Sequence, residues 1–315
     1  MNRCILPLEK NPVIRTYQHL AYSFSILGTN QDSCYWLCNQ YTQLINDGKN
    51  DMTFYLDFLN RQDALECGRI SCETIKKFKI DVVELIRNEI KKGWYVYICI
   101  DEFYIPERDV YQKEHFIHDC LVYGFDDTKK EFHIIGYNDK HMYRESRASY
   151  IQIKDSEPRY WICSIRKSEQ YKFFLDINKI HIDLKRYLNL MPEIILGDFD
   201  YKSAVFGQKT NLSLIRHIEK MCVNRNVIDI RYIYLFYEHK KCMLIRLGQL
   251  QQIIGFDDAN VVEYRKIVSK AEKLVLMTSK YNVKCCVQIH TKMSDYIKEI
   301  EEKEKRIILD VLKGY

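Results

Sequence analysis

The residues best suited to chemistry are His118 and the pair Asn138 and Asp139, which lie at the ends of two consecutive strand-like segments. The first segment, 118–125, begins at the histidine, and the second, 131–137, ends just before the pair. In an antiparallel hairpin these two ends come side by side. An imidazole titrates near neutral pH, and a neighbouring carboxylate or amide can hold its tautomer. The spacing therefore predicts a histidine base of the kind used in cysteine-dependent acyl chemistry.

The nucleophile for such a base is less clearly placed. Cys34 is the first candidate, because Asp32 and Ser33 predict the start of a helix. The first turn of a helix favours a thiolate over a thiol. The segment from Cys34 to Cys38 also has the pattern of an ordinary buried helix face, and Cys4 is a weaker candidate. A chain without any nucleophilic cysteine remains an open alternative.

Four further polar residues are candidates for substrate contact. Gln31 and Gln18 are weighed as donors to an oxyanion. Asp101 and Tyr104 follow a predicted strand and are expected to lie beside the same cleft. The alternative interpretation is that each glutamine is a solvated polar residue and that Asp101 and Tyr104 only end the strand and begin the following loop.

Composition narrows the classes of function. The net charge is +5, from 48 basic and 43 acidic residues, and the lysines are too scattered to predict nucleic-acid binding. No run approaches the ~18–20 apolar residues of a membrane span, and no signal peptide is recognisable, so we expect a cytoplasmic protein that does not contact a membrane. The 12 cysteines are dispersed and are expected to be reduced thiols. No metal site and no cofactor are predicted.

The hydrophobic pattern changes period twice along the chain. Helical spacing comes first and strand-like spacing follows, which predicts an α+β domain over residues 1–166. Residues 167–315 are expected to form a mostly helical domain. The predicted helices of the first domain are 13–27, 34–46, 53–60 and 80–92. Its predicted strands are 94–100, 118–125, 131–137, 143–153 and 160–165, of which the last two are expected to pair with each other. The predicted helices of the second domain are 183–190, 210–223, 226–245, 258–280 and 290–313, with 282–289 open between strand and helix start.

The segment 100–139 resembles papain-like cysteine peptidases and acyltransferases, and within them the butirosin biosynthesis protein H group. That group includes cysteine-protease homologues of thiotemplated peptide and polythioamide assembly. The residues that carry the resemblance are Asp101, Tyr104-Ile105-Pro106, the strand from His118, Tyr123-Gly124-Phe125-Asp126 and Gly136-Tyr137-Asn138-Asp139. The resemblance implies a papain-like fold, with N-terminal helices packed on an antiparallel sheet. It also implies transfer of an acyl group from a carrier-protein thioester to a small-molecule amine.

The sequence departs from this family at the nucleophile. The family's cysteine opens the first helix, whereas residues 16–19 here are Thr-Tyr-Gln-His. Two hypotheses follow. In the first, the protein is a cysteine-dependent, amide-forming acyltransferase of specialised-metabolite biosynthesis, in which Cys34 attacks the thioester, His118 moves protons, and Asp139 or Asn138 orients His118. In the second, it is a papain-like scaffold without a nucleophile that acts as a binding or accessory protein.

Overall fold

The computed structural model of the protein describes residues 2–47, 52–54, 63–191, 203–284 and 289–314. Their backbone forms a mixed α+β structure. In chain order the elements are β1 (Arg3–Ile5), α1 (Gln18–Leu27), α2 (Ser33–Gln40), β2 (Leu44–Asn46), β3 (Met52–Phe54), β4 (Leu65–Ser71), α3 (Cys72–Lys77), α4 (Val82–Lys91), β5 (Tyr95–Asp101), β6 (Ile117–Asp126), β7 (Glu131–Tyr137), β8 (Tyr143–Ser149), α5 (Tyr150–Asp155), β9 (Arg159–Lys167), α6 (Ile177–Tyr187), β10 (Val205–Phe206), α7 (Thr210–Val223), α8 (Ile230–Ile254), α9 (Asp258–Lys284) and α10 (Ile289–Lys313).

These elements divide into two compact units. The first unit comprises Met1–Ser33 and Arg61–Lys172, and the second comprises Cys34–Asn60 and Phe173–Tyr315. The border at 172 lies close to the predicted one at 166. The segment 34–60, however, belongs to the second unit rather than to a continuous first domain. This differs from the expectation because β2 pairs with β10, which lies far along the chain.

The first unit is built on an antiparallel sheet with strand order β4-β9-β5-β6-β7-β8, and β1 also pairs with β6. The predicted hairpin is present, as β6 and β7 pair from Leu121–Ile135 to Asp126–Glu131. Its turn forms because the Asp126 side chain accepts hydrogen bonds from the backbone amides of Thr128 and Lys129. The hairpin places the start of β6 and the end of β7 at the same end of the sheet.

One face of this sheet packs on α3, α4 and α5 to form an aliphatic core. Helix α4, predicted as 80–92, shows why this packing occurs. Asp81 accepts hydrogen bonds from the amides of Val83 and Glu84 and so caps the helix start. Val83, Ile86 and Ile90 lie three to four residues apart and are buried on one side of the helix. Their burial against the strands stabilises both elements.

The other face of the sheet carries α1. The ring of Tyr22 on α1 meets Tyr97 of β5, with centroids 5.9 Å apart. The predicted helix 13–27 begins only at Gln18, because Tyr17 is extended and no side chain caps the helix start. Helix α1 is therefore short, and its first residue lies at the position where side chains of the sheet can reach it.

The second unit contains α2, α6, α7, α8, α9 and α10 and a small sheet of order β10-β2-β3. The predicted helix 34–46 is wrong beyond Gln40, since Leu44–Asn46 is a strand paired with β3 and β10. The predicted helix 53–60 is also wrong where the structure describes it, because Met52–Phe54 is a strand, and residues 55–60 lie outside the described ranges. Pairing with distant segments overrides the local period here.

Other element boundaries in the structure also differ from the predicted ones. Residues 143–153 were expected to be one strand, but β8 ends at Ser149, where Ser149 and Gln152 form a capping box that starts α5. Strand β9 was expected to pair with this segment and instead pairs with β4 and β5. The expected helices of the second half correspond to α6–α10. The helix predicted at 210–223 matches α7 at both ends, and the other four have shifted ends. Of the alternatives for 282–289, residues up to Lys284 are helical, and 285–288 lie outside the described ranges.

Candidate functional site

His118 is the second residue of β6 and pairs with Ile100 near the end of β5. Its side chain is 35% exposed. The position follows from the strand order, because β6 lies between β5 and β7 and the polar residues after those strands gather at this end of the sheet. The imidazole is thus accessible to a ligand while the strand fixes its backbone.

The closest polar group to the imidazole is the carboxamide of Gln18, the first residue of α1. Its Nε2 atom lies 3.0 Å from Nδ1 of His118. The same amide donates to the carbonyl oxygen of Asp119 and, at 3.2 Å, to its Oδ1 atom. Its Oε1 atom accepts a hydrogen bond of 2.8 Å from the backbone amide of Tyr137. Gln18 therefore joins the start of α1 to both strands of the hairpin.

Two carboxylates flank the imidazole. Glu102 Oε1 lies 3.4 Å from Nδ1 of His118, and Asp119 Oδ1 lies 3.7 Å from Nε2. The buried Arg108 pairs with Glu102 at 3.4 Å and donates to the carbonyl oxygen of Tyr137. Burial lowers the pKa of His118, but the hydrogen bond to Glu102 and the negative charges of Asp119 and Glu102 outweigh it and raise this pKa above 6.5.

This arrangement predicts a pH dependence. Because the folded-state pKa of His118 is raised, its contribution to stability is fully present below the unfolded pKa near 6.5 and is lost as the pH rises through the folded value. Glu102→Gln removes the hydrogen-bonded charge, so we expect the His118 pKa to fall, measured by NMR titration of the imidazole. The matched control is Glu107→Gln, an exposed carboxylate nearby in the chain, which should leave this pKa unchanged. An unchanged or higher His118 pKa in Glu102→Gln would contradict the assignment.

Asn138 and Asp139 do not orient His118. The Asn138 Oδ1 atom accepts hydrogen bonds from the amides of Lys140 (3.1 Å) and Met142 (2.9 Å), within its own turn. Asp139 is exposed, and its backbone amide donates to the carbonyl oxygen of Glu107. The hairpin brings these residues to the correct end of the sheet, but the turn after β7 uses their polar groups. The partners of His118 are Gln18, Glu102 and Asp119 instead.

The predicted nucleophile lies in the other unit. Cys34 is the second residue of α2 and belongs to the second unit, whereas His118 belongs to the first. Gln31 is exposed in the turn before α2. The nearest thiols on the sheet are Cys120, two residues after His118, and Cys99, which is opposite Asp119, and burial raises the pKa of both. A raised pKa keeps a thiol protonated and makes it a poor nucleophile.

A cavity of about 620 Å³ opens at the same end of the first unit. Of the predicted substrate-binding residues, Asp101 and Tyr104 line it. The Asp101 carboxylate also accepts a hydrogen bond of 2.6 Å from His115 Nδ1. Burial would raise the Asp101 pKa, but the His115 bond and two backbone amide bonds outweigh it and hold the pKa below its usual value. The other lining residues are Ile117, Asp155, Ser156, Glu157, Arg159 and Tyr160.

The wall of this cavity contains an unusual piece of backbone. The register of β9 against β5 shifts from Ile98–Ile162 to Cys99–Arg159, so Tyr160 lies in a bulge. Tyr160 has φ of +62°, which is a rare conformation for a bulky side chain, and its ring is 65% exposed. Strained conformations of this kind concentrate at ligand sites. The bulge presents an aromatic ring at the cavity.

Sequence reasoning found His118, Asp101 and Tyr104 but missed Glu102, Arg108 and Asp119. Asp119 offered a signal, since it directly follows His118. No sequence pattern pointed to Glu102 or Arg108, because it is a short 3₁₀ turn at Glu102–Tyr104 and the loop after it that bring them to the imidazole. The chain matches no protein-family model and no curated protein sequence.

Two further observations concern the described ranges. None of the helices there is both long enough and apolar enough to cross a membrane. In the same ranges no three or more His, Cys, Asp or Glu side chains are grouped so as to hold a metal ion.

Proposed function

We propose that the protein is a papain-like scaffold that binds a ligand and does not transform it through a cysteine. The observation that carries this proposal is the contact between the Gln18 carboxamide and the His118 imidazole, 3.0 Å apart. A carboxamide is not a nucleophile, and it holds the imidazole in place through its bonds to both strands of the hairpin.

The resemblance to papain-like proteins supports the same conclusion. In that family the cysteine opens the first helix, and here Gln18 opens α1. Gln18 thus stands where the family would have its nucleophile, beside the histidine. The neighbouring thiols of Cys99 and Cys120 are held protonated by burial. The site keeps the base and lacks the group that the base would activate.

The lining of the cavity suits a small ligand that carries an amine and an apolar or aromatic body. Asp155 and Glu157 contribute negative charge, and Tyr104 and Tyr160 contribute aromatic rings, a combination that attracts organic cations. Arg159 pairs with Glu157 at 3.4 Å and His115 with Asp101 at 2.6 Å, so the negative charge available to a ligand is concentrated at Asp155. A cavity of this size suits a small molecule.

Ligand-observed NMR tests the proposal with phenethylamine and its carboxylate counterpart, 3-phenylpropionate. We expect saturation transfer to the amine and little to the carboxylate, because the carboxylates of the cavity repel an anion. Asp155→Asn should reduce the signal of the amine several-fold. Asp139→Asn, an exposed carboxylate outside the cavity lining, is the matched control and should leave it unchanged. Equal binding of both probes, or no effect of Asp155→Asn, would sink the amine assignment.

Acyl transfer is the second candidate, with a carrier-protein thioester as donor and an amine as acceptor. Two observations favour it. The raised pKa of His118 suits a proton-transferring group near neutral pH, and Cys34 is half-buried in the first turn of α2. An acyl adduct on Cys34 after incubation with an acyl-pantetheine thioester would support this candidate over the scaffold.

A further inference from the structure

We propose that Cys67 and Cys163 form a redox-sensitive pair, which peroxide oxidises to a disulfide that joins β4 to β9. The pair is remote in sequence from His118 and is independent of the proposed function. It rests on the register of two strands, on the contact between two thiols and on the exposure of one of them.

The strand register brings the two cysteines to one face of the sheet. In the antiparallel pair of β4 and β9, Cys67 is opposite Ile165 and Arg69 is opposite Cys163. Cys67 and Cys163 are therefore diagonal neighbours on adjacent strands, on the same face of the sheet. A hydrogen bond between the two side chains is the largest cause of the lowered pKa of Cys67 and of the raised pKa of Cys163.

The two thiols differ in the way that a reactive and a resolving cysteine must differ. Cys67 is exposed on β4, the strand at the edge of the sheet, and oxidant can reach it. The hydrogen bond from Cys163 and the positive charge of Arg69 outweigh partial burial and lower the pKa of Cys67 to about 7. Cys163 is fully buried, and its hydrogen bond to Cys67, together with burial, raises its pKa. Cys67 is thus the thiolate that reacts first.

The reaction balances with one peroxide per pair. The Cys67 thiolate attacks one oxygen of hydrogen peroxide, the O–O bond breaks, and the departing hydroxide takes a proton to become water. Cys67 is then a sulfenic acid. The Cys163 thiol gives up its proton as its sulfur attacks the Cys67 sulfur, the S–S bond forms, and hydroxide leaves with that proton as a second water. Two thiols are oxidised by two electrons, and peroxide is reduced to two waters.

The other thiols of the first unit provide the comparison. Burial raises the pKa of Cys72, which lies at the start of α3, and of Cys99 on β5. Cys99 is partly buried, so an alkylating reagent can still reach it, and it serves as the control thiol. At pH 7 about half of a thiol with a pKa near 7 is ionised, so alkylation of Cys67 should be roughly tenfold or more faster than that of Cys99.

The test uses the full chain, reduced and then treated with equimolar hydrogen peroxide. We expect an intact mass lower by two hydrogens and a disulfide-linked peptide containing Cys67 and Cys163. Peptides containing Cys99 should stay reduced. Dimedone, which traps sulfenic acids, should label Cys67 in Cys163→Ala but hardly in the parent chain, where Cys163 resolves the acid. In Cys67→Ser, Cys163 should resist oxidation.

Three results would overturn the proposal. One is the absence of the linked peptide in the oxidised parent chain, a measurement that needs no variant to fold. Another is equal dimedone labelling of Cys67 with and without Cys163. The third is an alkylation rate at pH 7 that is the same for Cys67 and Cys99.

Discussion

Glu304→Gln is expected to lower the free energy of unfolding by about 3–5 kcal/mol, because it leaves the ammonium of Lys240 buried without its counter-charge. Glu304 on α10 and Lys240 on α8 form an ion pair of 2.8 Å in which both side chains have zero exposure. Removing one partner of a buried pair costs far more than the net value of the pair. Urea unfolding followed by circular dichroism at 222 nm measures the change, since the helical second unit dominates that signal.

The surroundings of this pair explain the size of the effect. Tyr187 and Tyr264 both donate their hydroxyl protons to the carboxylate of Glu304. Lys240 also donates a hydrogen bond of 2.8 Å to the Tyr187 oxygen. Burial lowers the pKa of Lys240, and the Glu304 charge opposes that effect. The network ties α6, α8, α9 and α10 to one carboxylate.

Glu299→Gln is the matched control for Glu304→Gln. It lies on the same helix and pairs with Lys270 and Lys303, but its side chain is 40% exposed. Exposed pairs of this kind are worth about 0–1 kcal/mol. The double variant Lys240→Met with Glu304→Gln removes both charges, and we expect a coupling energy of about 1–3 kcal/mol that restores part of the lost stability. Equal losses for Glu299→Gln and Glu304→Gln would show that the buried pair has no special role.

Sequence reasoning succeeded where a local pattern and its tertiary environment agree. Helix α4 was predicted from a regular apolar stripe, and the sheet buries that stripe. The β6–β7 hairpin was predicted because two strand-like segments lie only a few residues apart, and in the structure Asp126 closes the turn between them. In both cases the residues that decide the element lie within a few positions of one another.

The failures involve partners that are distant in sequence. Leu44–Asn46 has helical spacing but becomes a strand because Val205–Phe206 pairs with it. For His118, the sequence predicted the neighbour supplied by the hairpin. In the structure the neighbours of the imidazole are Gln18, which is 100 positions away in the sequence, and Glu102, which a short turn brings to the imidazole. The local hydrophobic period does not show which distant residues contact the imidazole. The sequence therefore predicted only His118 and two residues of the nearby cavity, Asp101 and Tyr104.

Gln18→Cys is expected to create a thiol that reacts fast with iodoacetamide. The new sulfur would stand near the position of the Gln18 side chain, at the first residue of α1 and beside an imidazole whose pKa is raised. A helix start and a neighbouring imidazolium both stabilise a thiolate. At pH 6 we therefore expect alkylation there to be about 100-fold faster than for an ordinary thiol. Peptide mass spectrometry separates this reaction from the fast alkylation expected at Cys67.

The double variant Gln18→Cys with His118→Ala is the control, and it should bring the rate back to that of an ordinary thiol. Gln18→Ala, which adds no sulfur, measures how much stability is lost when the Gln18 side chain is removed. It removes the acceptor of the Tyr137 amide, which is 2.8 Å away, and should destabilise the protein by about 1–3 kcal/mol. A rate in Gln18→Cys that does not depend on His118 would contradict the view that Gln18 stands in the place of a nucleophile.

The same proteins, incubated with an acyl-pantetheine thioester, separate the two proposed functions. If the site lacks only its nucleophile, the acyl group should appear at position 18 in Gln18→Cys, and the parent chain should carry no adduct. If Cys34 is the nucleophile, the parent chain should be acylated at Cys34, and His118→Ala should abolish that adduct. The first outcome means that Gln18, fixed by the carbonyl oxygen and Oδ1 atom of Asp119 and by the Tyr137 amide, occupies the place of the nucleophile beside His118. The second means that the glutamine is a partner of the base.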